Sequence, residues 1–467
     1  MKKLLTLLAF VGWVVGFAAC SSDNDDPEST PVTPTLSISS PTSGVLNFAA
    51  AGETQNIQFT ASTNWTVSVS GTGFSANTTS GPAGTQTVSI TATENTNTSS
   101  RSGSVSITCG TSSTGLVAKF ISLSQKAAEA PVSAFVKGAD ISWVTEMEQA
   151  SIPFYDANGE KKDCFELMKS LGMNLIRLRV WVNPENTYGK WCDKDDVVAK
   201  AVRAKNAGLD VMIDFHYSDV FADPSNQAKP AAWKDLELSD LKNKVAEHTT
   251  EVLTALKEKS VEPKYIQIGN ETRNGMLWPT GQLWNDSGDL ADGWKNYATL
   301  SNAGYDAAKA VFADAAVLVH QNNAYEDLDW WFSKFKDAGG KFDMIGLSHY
   351  PQEAYDGDSK MDAEKANNLA VRHVTTLGAT YGVKVLVVEI GVKPSESNSV
   401  TLITDFVNAV KLISYCEGVV YWEPEYYASE SNNWWKPSYY TTVGWECYDK
   451  GAFTSEGKPS SILDVFN

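Results

Sequence analysis

Cysteine is scarce in this chain of 467 residues, with six in all and no CxxC pair among them. Cys109, Cys164, Cys192, Cys416 and Cys447 are scattered, so neither a zinc site nor a disulfide framework follows. Buried free thiols are the default, with one or two bridges left open. Histidine is rarer still at five residues, and His216, His320 and His349 show no HxH or HExxH spacing, which argues against a catalytic metal. Basic residues are outnumbered 38 to 56, and the net charge of −18 argues against nucleic acid, whose phosphates such a surface repels. No G-x-S-x-G elbow offers a serine nucleophile. Beyond the first twenty residues no segment approaches the roughly 18 uninterrupted apolar residues of a membrane span.

What is present begins with a leader. Lys2 and Lys3 precede the apolar run Leu4–Ala19, which reads as a secretory signal over 1–19. The stretch "FAAC" resembles a bacterial lipobox, making Cys20 the expected lipidated N-terminus. The "SSDNDD" that follows resembles the acidic tag of surface-exposed lipoproteins. Residues 20–34 then form an acidic, Ser/Pro/Thr-rich tether without periodicity. The expectation is an outer-membrane lipoprotein on the cell surface, facing the medium and touching the membrane only through its lipid. A monomer is expected.

Over 35–126 short alternating runs recur, among them "NIQFTAS", "NWTVSVS", "QTVSITATE" and "VAKFISLSQ", split by turn signals such as "SGPAGT". That rhythm predicts an all-β sandwich. It resembles a BACON domain, an Ig-like sandwich, chiefly through "NWTVS" at Asn64–Ser68 and "RSGSVSIT". Such a unit binds glycan or serves as a spacer, and without an exposed aromatic cluster the spacer is favoured.

From Ala134 to Asn467 the rhythm changes to alternating strand and helix. Strands are expected at "FVKGADIS", "NLIRLRV", "DVMIDFH", "KYIQIG", "AVLVH", "DMIGLSH", "VKVLVVEI" and "GVVYWE". Helical stretches such as "DCFELMKSLG" and "DDVVAKAVRAKNAG" begin with acids and end on Gly172 and Gly208, each suited to the position just past a helix end. Eightfold alternation over this length is an α/β (β/α)₈ TIM barrel following the N-terminal β-sandwich. The absence of a Gly-rich phosphate loop after the first strand weighs against a doubly wound sheet.

In such a barrel the chemistry sits at the C-terminal strand ends. Those ends carry Asp140, Arg179, His216, Asn270 with Glu271, His320, His349 with Tyr350, Glu389, and Trp422 with Glu423. A structural barrel has no need of so many charged groups, which are seldom buried unpaired. Carboxylates on the fourth and seventh strands suit glycoside hydrolysis, which needs one protonated acid and one ionised partner.

Four longer stretches then carry a specific resemblance: "RLRVWVNP", "HYSDVFADPSNQAKPAAW", "IQIGNETRNGMLWP" and "YWEPEYY". Residues 134–467 resemble glycoside hydrolase family 53. The resemblance implies a retaining endo-β-1,4-galactanase with β-1,4-linked galactan, a pectic side chain, as substrate. It implies Glu271 as acid/base and Glu389 as nucleophile. Asn270 would bond the sugar 2-hydroxyl, Arg179 would keep Glu389 ionised, Tyr350 would bond Glu389, Trp422 would floor the sugar ring, and His216 would line the same subsite. Arg177 is expected on the opposite face of its strand. Trp233, Trp278 and Trp434 are candidate sugar platforms in the mouth loops. Phe221 stands where the family pattern has Trp. The segment "EIGVKPSESNSVTL" lacks the Asp/His/Asn-rich loop that binds calcium in some relatives, so no cofactor or metal is expected. Two other readings stay open: a non-catalytic glycan-binding lipoprotein, disfavoured because both carboxylates are present, and a related enzyme acting on glucan or mannan.

Overall fold

The computed structural model describes residues 33–97, 99–127, 134–184, 189–427, 435–444 and 449–467. The leader, the tether with Cys20, Trp434 and Cys447 lie outside the described residues. The chain divides into two compact units, Met1–Val132 and Ser133–Asn467.

The first unit holds two sheets. One runs Leu36–Ser40, Glu53–Ala61, Gly84–Ala92, Phe74–Ala76; the other runs Val45–Phe48, Gly115–Gln125, Arg101–Thr111, Trp65–Ser70, Ser80–Gly81. Val45–Phe48 pairs in parallel with Gly115–Gln125, so the second sheet is mixed. Strand alternation sorts the side chains: Trp65 and Val67 are buried while Thr66 and Ser68 face solvent. Ile57, Phe59, Val88, Ile90, Val105 and Ile107 join them in one apolar core. Within it the Trp65 and Phe59 rings meet edge-on at 5.0 Å, and the indole N–H donates to the Pro82 carbonyl.

The second unit is a closed barrel of eight strands. In chain order they are β1 (Val136–Asp140), β2 (Leu175–Val180), β3 (Asp210–Phe215), β4 (Tyr265–Ile268), β5 (Ala316–Gln321), β6 (Met344–His349), β7 (Lys384–Ile390) and β8 (Cys416–Trp422). All neighbours are parallel, and β1 pairs with β8 to close the ring. These are the eight strands expected. Helices α1 (Val144–Gln149) and α2 (Cys164–Ser170) follow β1, and α3 (Lys194–Asn206), α4 (Leu238–Glu258), α5 (Gly293–Val311), α6 (Asp329–Asp337), α7 (Ala363–Tyr381) and α8 (Ser399–Lys411) follow β2 to β7 in turn. Local sequence sets the helix ends: the Asp163 carboxylate accepts the Phe165 and Glu166 amides ahead of α2, and Asp193 does the same for Asp196 in α3. Gly172 and Gly208 then leave the helices at φ 82° and 73°.

Inward positions toward one end of the strands are apolar. Val136, Leu175, Met212, Tyr265, Leu318, Met344, Leu386 and Val420 form a packed floor inside the barrel. The outward residues of the same strands, such as Ile176, Leu178, Ile213 and Ile266, pack with the helix layer in a separate core. The described cysteines, Cys109, Cys164, Cys192 and Cys416, are buried and free.

Candidate active site

Above the floor the inward positions turn polar. On β2 the apolar Leu175 is followed two and four residues on by Arg177 and Arg179, both 1% exposed. Residues two apart share a strand face, so Arg177 does not point away from the interior as expected. It sits at the centre of the polar layer. Its guanidinium reaches Asp140 on β1 and Asp214 on β3 at 2.8 Å each, and Glu389 on β7 at 3.0 Å. It also donates to Gln267 and, at 3.0 Å, to Asn270 Oδ1. The arginine beside Glu389 is therefore Arg177 and not Arg179. Arg179 lies one strand pleat further up and pairs with Glu423 at 2.9 Å. Its guanidinium carbon is 4.0 Å from the Trp143 ring centroid and 4.6 Å from that of Phe221.

Glu389 faces inward because β7 breaks register. Leu347 pairs with Val387, but Ser348 pairs with Glu389, leaving Val388 as an extra residue. Val388 itself belongs to the interior floor, so strict alternation would send Glu389 outward. The bulge re-aims it into the barrel. There it accepts hydrogen bonds from Tyr350 at 2.9 Å and Ser348 at 3.2 Å.

Glu271 is presented by a tight turn after β4. Gly269 takes φ 80° and Glu271 itself φ 46°, a left-handed conformation that non-glycine residues rarely adopt. The strain, about 1–3 kcal/mol for such a residue, is held by surrounding bonds. The Glu271 amide donates to His320, the Arg273 amide returns to the Glu271 carbonyl at 2.8 Å, and Gln227 holds the Asn270 carbonyl at 2.8 Å. The Glu271 carboxylate is bonded to Ser348 Oγ at 2.6 Å. Its nearest oxygen lies within 4.8 Å of one from Glu389.

The two carboxyl groups differ electrostatically. Burial pushes both up, and the facing charge of Glu389 adds to the rise of Glu271, which reaches about 8. Glu389 is drawn back by Arg177 and by the Tyr350 hydroxyl. Arg177 and Tyr350 thus favour the anion on Glu389, and the facing charge favours the proton on Glu271.

The other expected residues fall as follows. His216, Asn270, Tyr350 and Trp422 line one pocket of about 160 Å³ with Glu271 and Glu389, and Arg177 and Arg179 lie in the same wall. His216 Nδ1 accepts the Ala222 amide at 3.0 Å, which directs its other nitrogen to Asp214 at 2.9 Å. Asn270 donates one amide hydrogen to the Ala222 carbonyl at 2.8 Å. Phe221 lines the pocket and packs on Trp143 and Trp181. His349 faces the helices, bonded to Asn367 of α7 at 2.8 Å and packed on Phe406 of α8, and burial lowers it to about 4. Trp233 is buried, and Trp278 is half-buried with its indole donating to the Asn274 carbonyl. Trp233 is therefore no open platform, while Trp278 keeps part of its ring exposed.

Sequence reasoning missed Arg177, Ser348, Asp214 and Gln267. Their signal was alternation itself, since each lies on the inward face of its strand near its C-terminal end. His320, noted as a strand-end residue and weighed against a metal role, bonds Ser348 Oγ through Nε2 at 2.7 Å.

Glu271, His320 and Glu389 place one donor atom each within 4.8 Å of the others, the spacing of a metal cluster. The surroundings do not suit a cation: Arg177 stands 3.0 Å from Glu389, and both His320 nitrogens are engaged. After β7, segment 391–398 has a single acid, Glu396, already bonded to Gln352 at 3.0 Å, beside Lys393 paired with Asp449 at 2.8 Å. That is no oxygen cage for calcium.

The sequence pattern of "Glycosyl hydrolase family 53" matches residues 136–466, which is nearly all of the barrel unit. The chain belongs to glycosyl hydrolase family 53. It is 32% identical over 317 residues to an arabinogalactan endo-β-1,4-galactanase of Cellvibrio japonicus, covering 63% of this chain and 81% of that protein. A protein of the same description from Thermothelomyces thermophilus is 29% identical, covering 71% of this chain and 98% of its own. A fungal β-1,4-galactanase structure superimposes with a TM-score of 0.60 at 28% identity, over 71% of this chain and 99% of that one. This family 53 barrel is a glycoside hydrolase.

Proposed function

We propose that the chain is an endo-β-1,4-galactanase that cleaves galactan of the type I arabinogalactan class by double displacement. The observation that carries the chemistry is the approach of Glu271 and Glu389 within 4.8 Å. Retaining glycosidases hold their carboxyl groups about 5–5.5 Å apart, whereas inverting ones leave about 6.5–9.5 Å for a water. The substrate is supported by the galactanases named above.

In this reading Glu389, kept anionic by Arg177, attacks the anomeric carbon, and Glu271 gives its proton to the departing glycosidic oxygen. Once Glu389 is an ester its charge is gone, Glu271 loses its facing anion, and it takes a proton from water to release the sugar. Trp422, half-buried in the pocket wall, supplies the apolar floor for the ring. The second amide hydrogen of Asn270 serves the 2-hydroxyl, a bond that strengthens in the transition state. Arg179 acts one step further out by holding Glu423 and the wall of Trp143 and Phe221 in place.

Endo action needs room for a chain. A second, wider cleft of about 950 Å³ opens between the loops after β4, β5 and β6, lined by Arg273, Glu326, Trp330, Glu353 and Tyr355. Glu353 lines both this cleft and the catalytic pocket. Because the acid Glu271 and Arg273 leave the same strand, this is the side on which the leaving group departs.

Incubating the purified chain with linear β-1,4-galactan, cellulose and mannan tests the reading. Oligosaccharides from galactan alone, with the β-anomer formed first by NMR, are expected. Products from mannan or cellulose, or first formation of the α-anomer, would overturn it.

The N-terminal unit is proposed as a BACON-like, Ig-like spacer, and Cys20 as the lipid anchor of a cell-surface protein. Acyl chains contribute about 0.8 kcal/mol per buried CH₂, so Cys20→Ala should move the mature protein from membrane to medium.

A further inference from the structure

Ser348 is the one side chain among the described residues seen to bond both carboxylates. Its Oγ lies 2.6 Å from Glu271 Oε1, 3.2 Å from Glu389 Oε2 and 2.7 Å from His320 Nε2. A hydroxyl has one proton and two lone pairs, so three partners fill it completely, with one accepting and two donating. The His320 tautomer decides which does what. The Glu271 backbone N–H and the Gln267 Nε2–H group both approach His320 Nδ1, at 3.3 and 3.0 Å. Asn270 Oδ1 also lies 3.0 Å from Nδ1, but that oxygen is already supplied by Arg177 and Gln267. The Glu271 N–H, in contrast, is fixed in direction and has no rotamer to escape by. We therefore assign Nδ1 as the acceptor, which leaves the proton on Nε2 to be donated to Ser348. Burial and the nearby Arg177 charge hold this imidazole neutral.

One lone pair and one proton of Ser348 are left for two carboxyl groups. In the resting pair Glu271 is the acid and donates to Oγ, so the serine proton points to Glu389. After glycosylation the proton of Glu271 has gone to the leaving group, and Glu389 is an ester and a poor acceptor. The serine proton now has one charged partner, Glu271.

We propose that Ser348, held by His320, is a positioning residue whose single hydroxyl proton follows the negative charge, donating to Glu389 in the free enzyme and to Glu271 in the glycosyl-enzyme. No bond to Oγ breaks; only its torsion changes. The same group thus supports the anion that each half-reaction needs. The inference rests on the double-displacement reading above. Other charged or titratable groups surround the pair: Arg177 on β2, Asp140 on β1, Asp214 on β3 with His216 just after it, Asp223 in the loop that follows, Glu353 after β6, and Lys450 near the C-terminus.

The test compares Ser348→Ala and Ser348→Thr with the unaltered chain, measuring kcat/KM and kcat on galactan across pH together with melting temperature. A hydrogen bond to a charged group corresponds to roughly 10–100-fold in rate. Ser348→Ala should lose that in kcat/KM and also in the turnover of the glycosyl-enzyme, followed with an aryl galactoside. Its acid limb should move up by about one pH unit, because Glu389 has lost a donor. Ser348→Thr, which keeps the hydroxyl, should recover most of the rate and the original limb. A Ser348→Ala profile superimposed on the unaltered one overturns the proposal, as does equal damage in both variants with unmoved limbs, which would mean packing only. Inactivity of the unaltered chain on galactan would instead overturn the underlying activity, and it is read before any variant is made.

Discussion

Within one barrel, on the same eight strands, the interior is built in two opposite ways. At the floor, Leu175, Met212, Leu318 and Met344 fill the space with apolar side chains that need no partners. At the mouth, inward positions further along those strands carry Arg177, Asp214, His320 and Ser348, each buried, with Arg177 paired to Asp214 and His320 bonded to Ser348. The floor gains from every apolar group removed from water. The mouth desolvates charges, and its network recovers that cost only while complete. The comparison teaches that one end of the barrel is built for stability and the other for holding carboxylates in unlike protonation states. Each end should therefore respond to mutation in its own currency, rate at the mouth and melting temperature at the floor.

The largest effect is expected at the mouth and in rate alone. Glu389→Gln is nearly isosteric, keeps hydrogen-bonding partners for Tyr350 and Ser348, and leaves Arg177 two other carboxylates. Turnover on galactan should fall by roughly 10⁴-fold or more, as when a catalytic unit loses one member. The melting temperature should stay within a few degrees. A variant with near-normal turnover would show that the nucleophile lies elsewhere.

Arg177→Met tests whether the two ends are as separate as that implies. Removing this guanidinium leaves Asp140, Asp214 and Glu389 facing one another without a counter-charge. Breaking one side of a buried ion network costs about 3–5 kcal/mol, so here a mouth residue should lower stability as well as activity. Urea denaturation together with the acid limb of the pH profile gives both readouts. Arg179→Met should leave the acid limb in place, since Arg179 pairs with Glu423 and not with Glu389.

The floor supplies the reverse case. Leu318→Ala opens a cavity in a fully buried layer and should cost about 2–5 kcal/mol, with kcat at moderate temperature nearly unchanged. A loss of kcat as large as that of Arg177→Met would mean that floor packing positions the carboxylates.

The sequence revealed the floor and the mouth unequally, for physical reasons. The eight strands were legible because two-residue alternation and helix-ending glycines such as Gly172 and Gly208 are local signals. Asn270 and Glu271 were legible because an adjacent amide and carboxylate at a strand end have no structural use. The choice between Arg177 and Arg179 was not, although two-residue spacing already puts both on one face, against the expectation that Arg177 points away. Both face inward, and which one meets Glu389 depends on depth across the barrel, a property of strand stagger rather than of one strand. The inward aim of Glu389 depends on the extra residue Val388, and a bulge is invisible until two strands are paired. Ser348 was passed over because a serine carries no charge to mark it, and its role exists only when three partners converge. Trp233 failed as a platform for a related reason: it was judged by loop position, while exposure is set by what packs over the ring.

The smallest expected effect concerns the aromatics that are exposed. Trp330 and Tyr355 are 41% and 52% exposed, and both line the wide cleft that adjoins the catalytic pocket through Glu353. Arg273 lies over the Trp330 ring at 5.8 Å, and Trp284 packs beside it at 6.1 Å, so the ring is fixed before any sugar arrives. A fixed, partly exposed ring suits contact with a galactosyl unit beyond the scissile bond, worth about 1 kcal/mol or roughly fivefold in affinity. Trp330→Ala should therefore lower kcat/KM about fivefold on long galactans and leave the shortest cleaved oligosaccharide unaffected. Melting temperature should hardly change, because the ring is not part of either core. Initial rates against chain length decide the matter: an equal loss at every length would place Trp330 in the support of Glu271 through Arg273, and would extend the mouth of the barrel outward to include it.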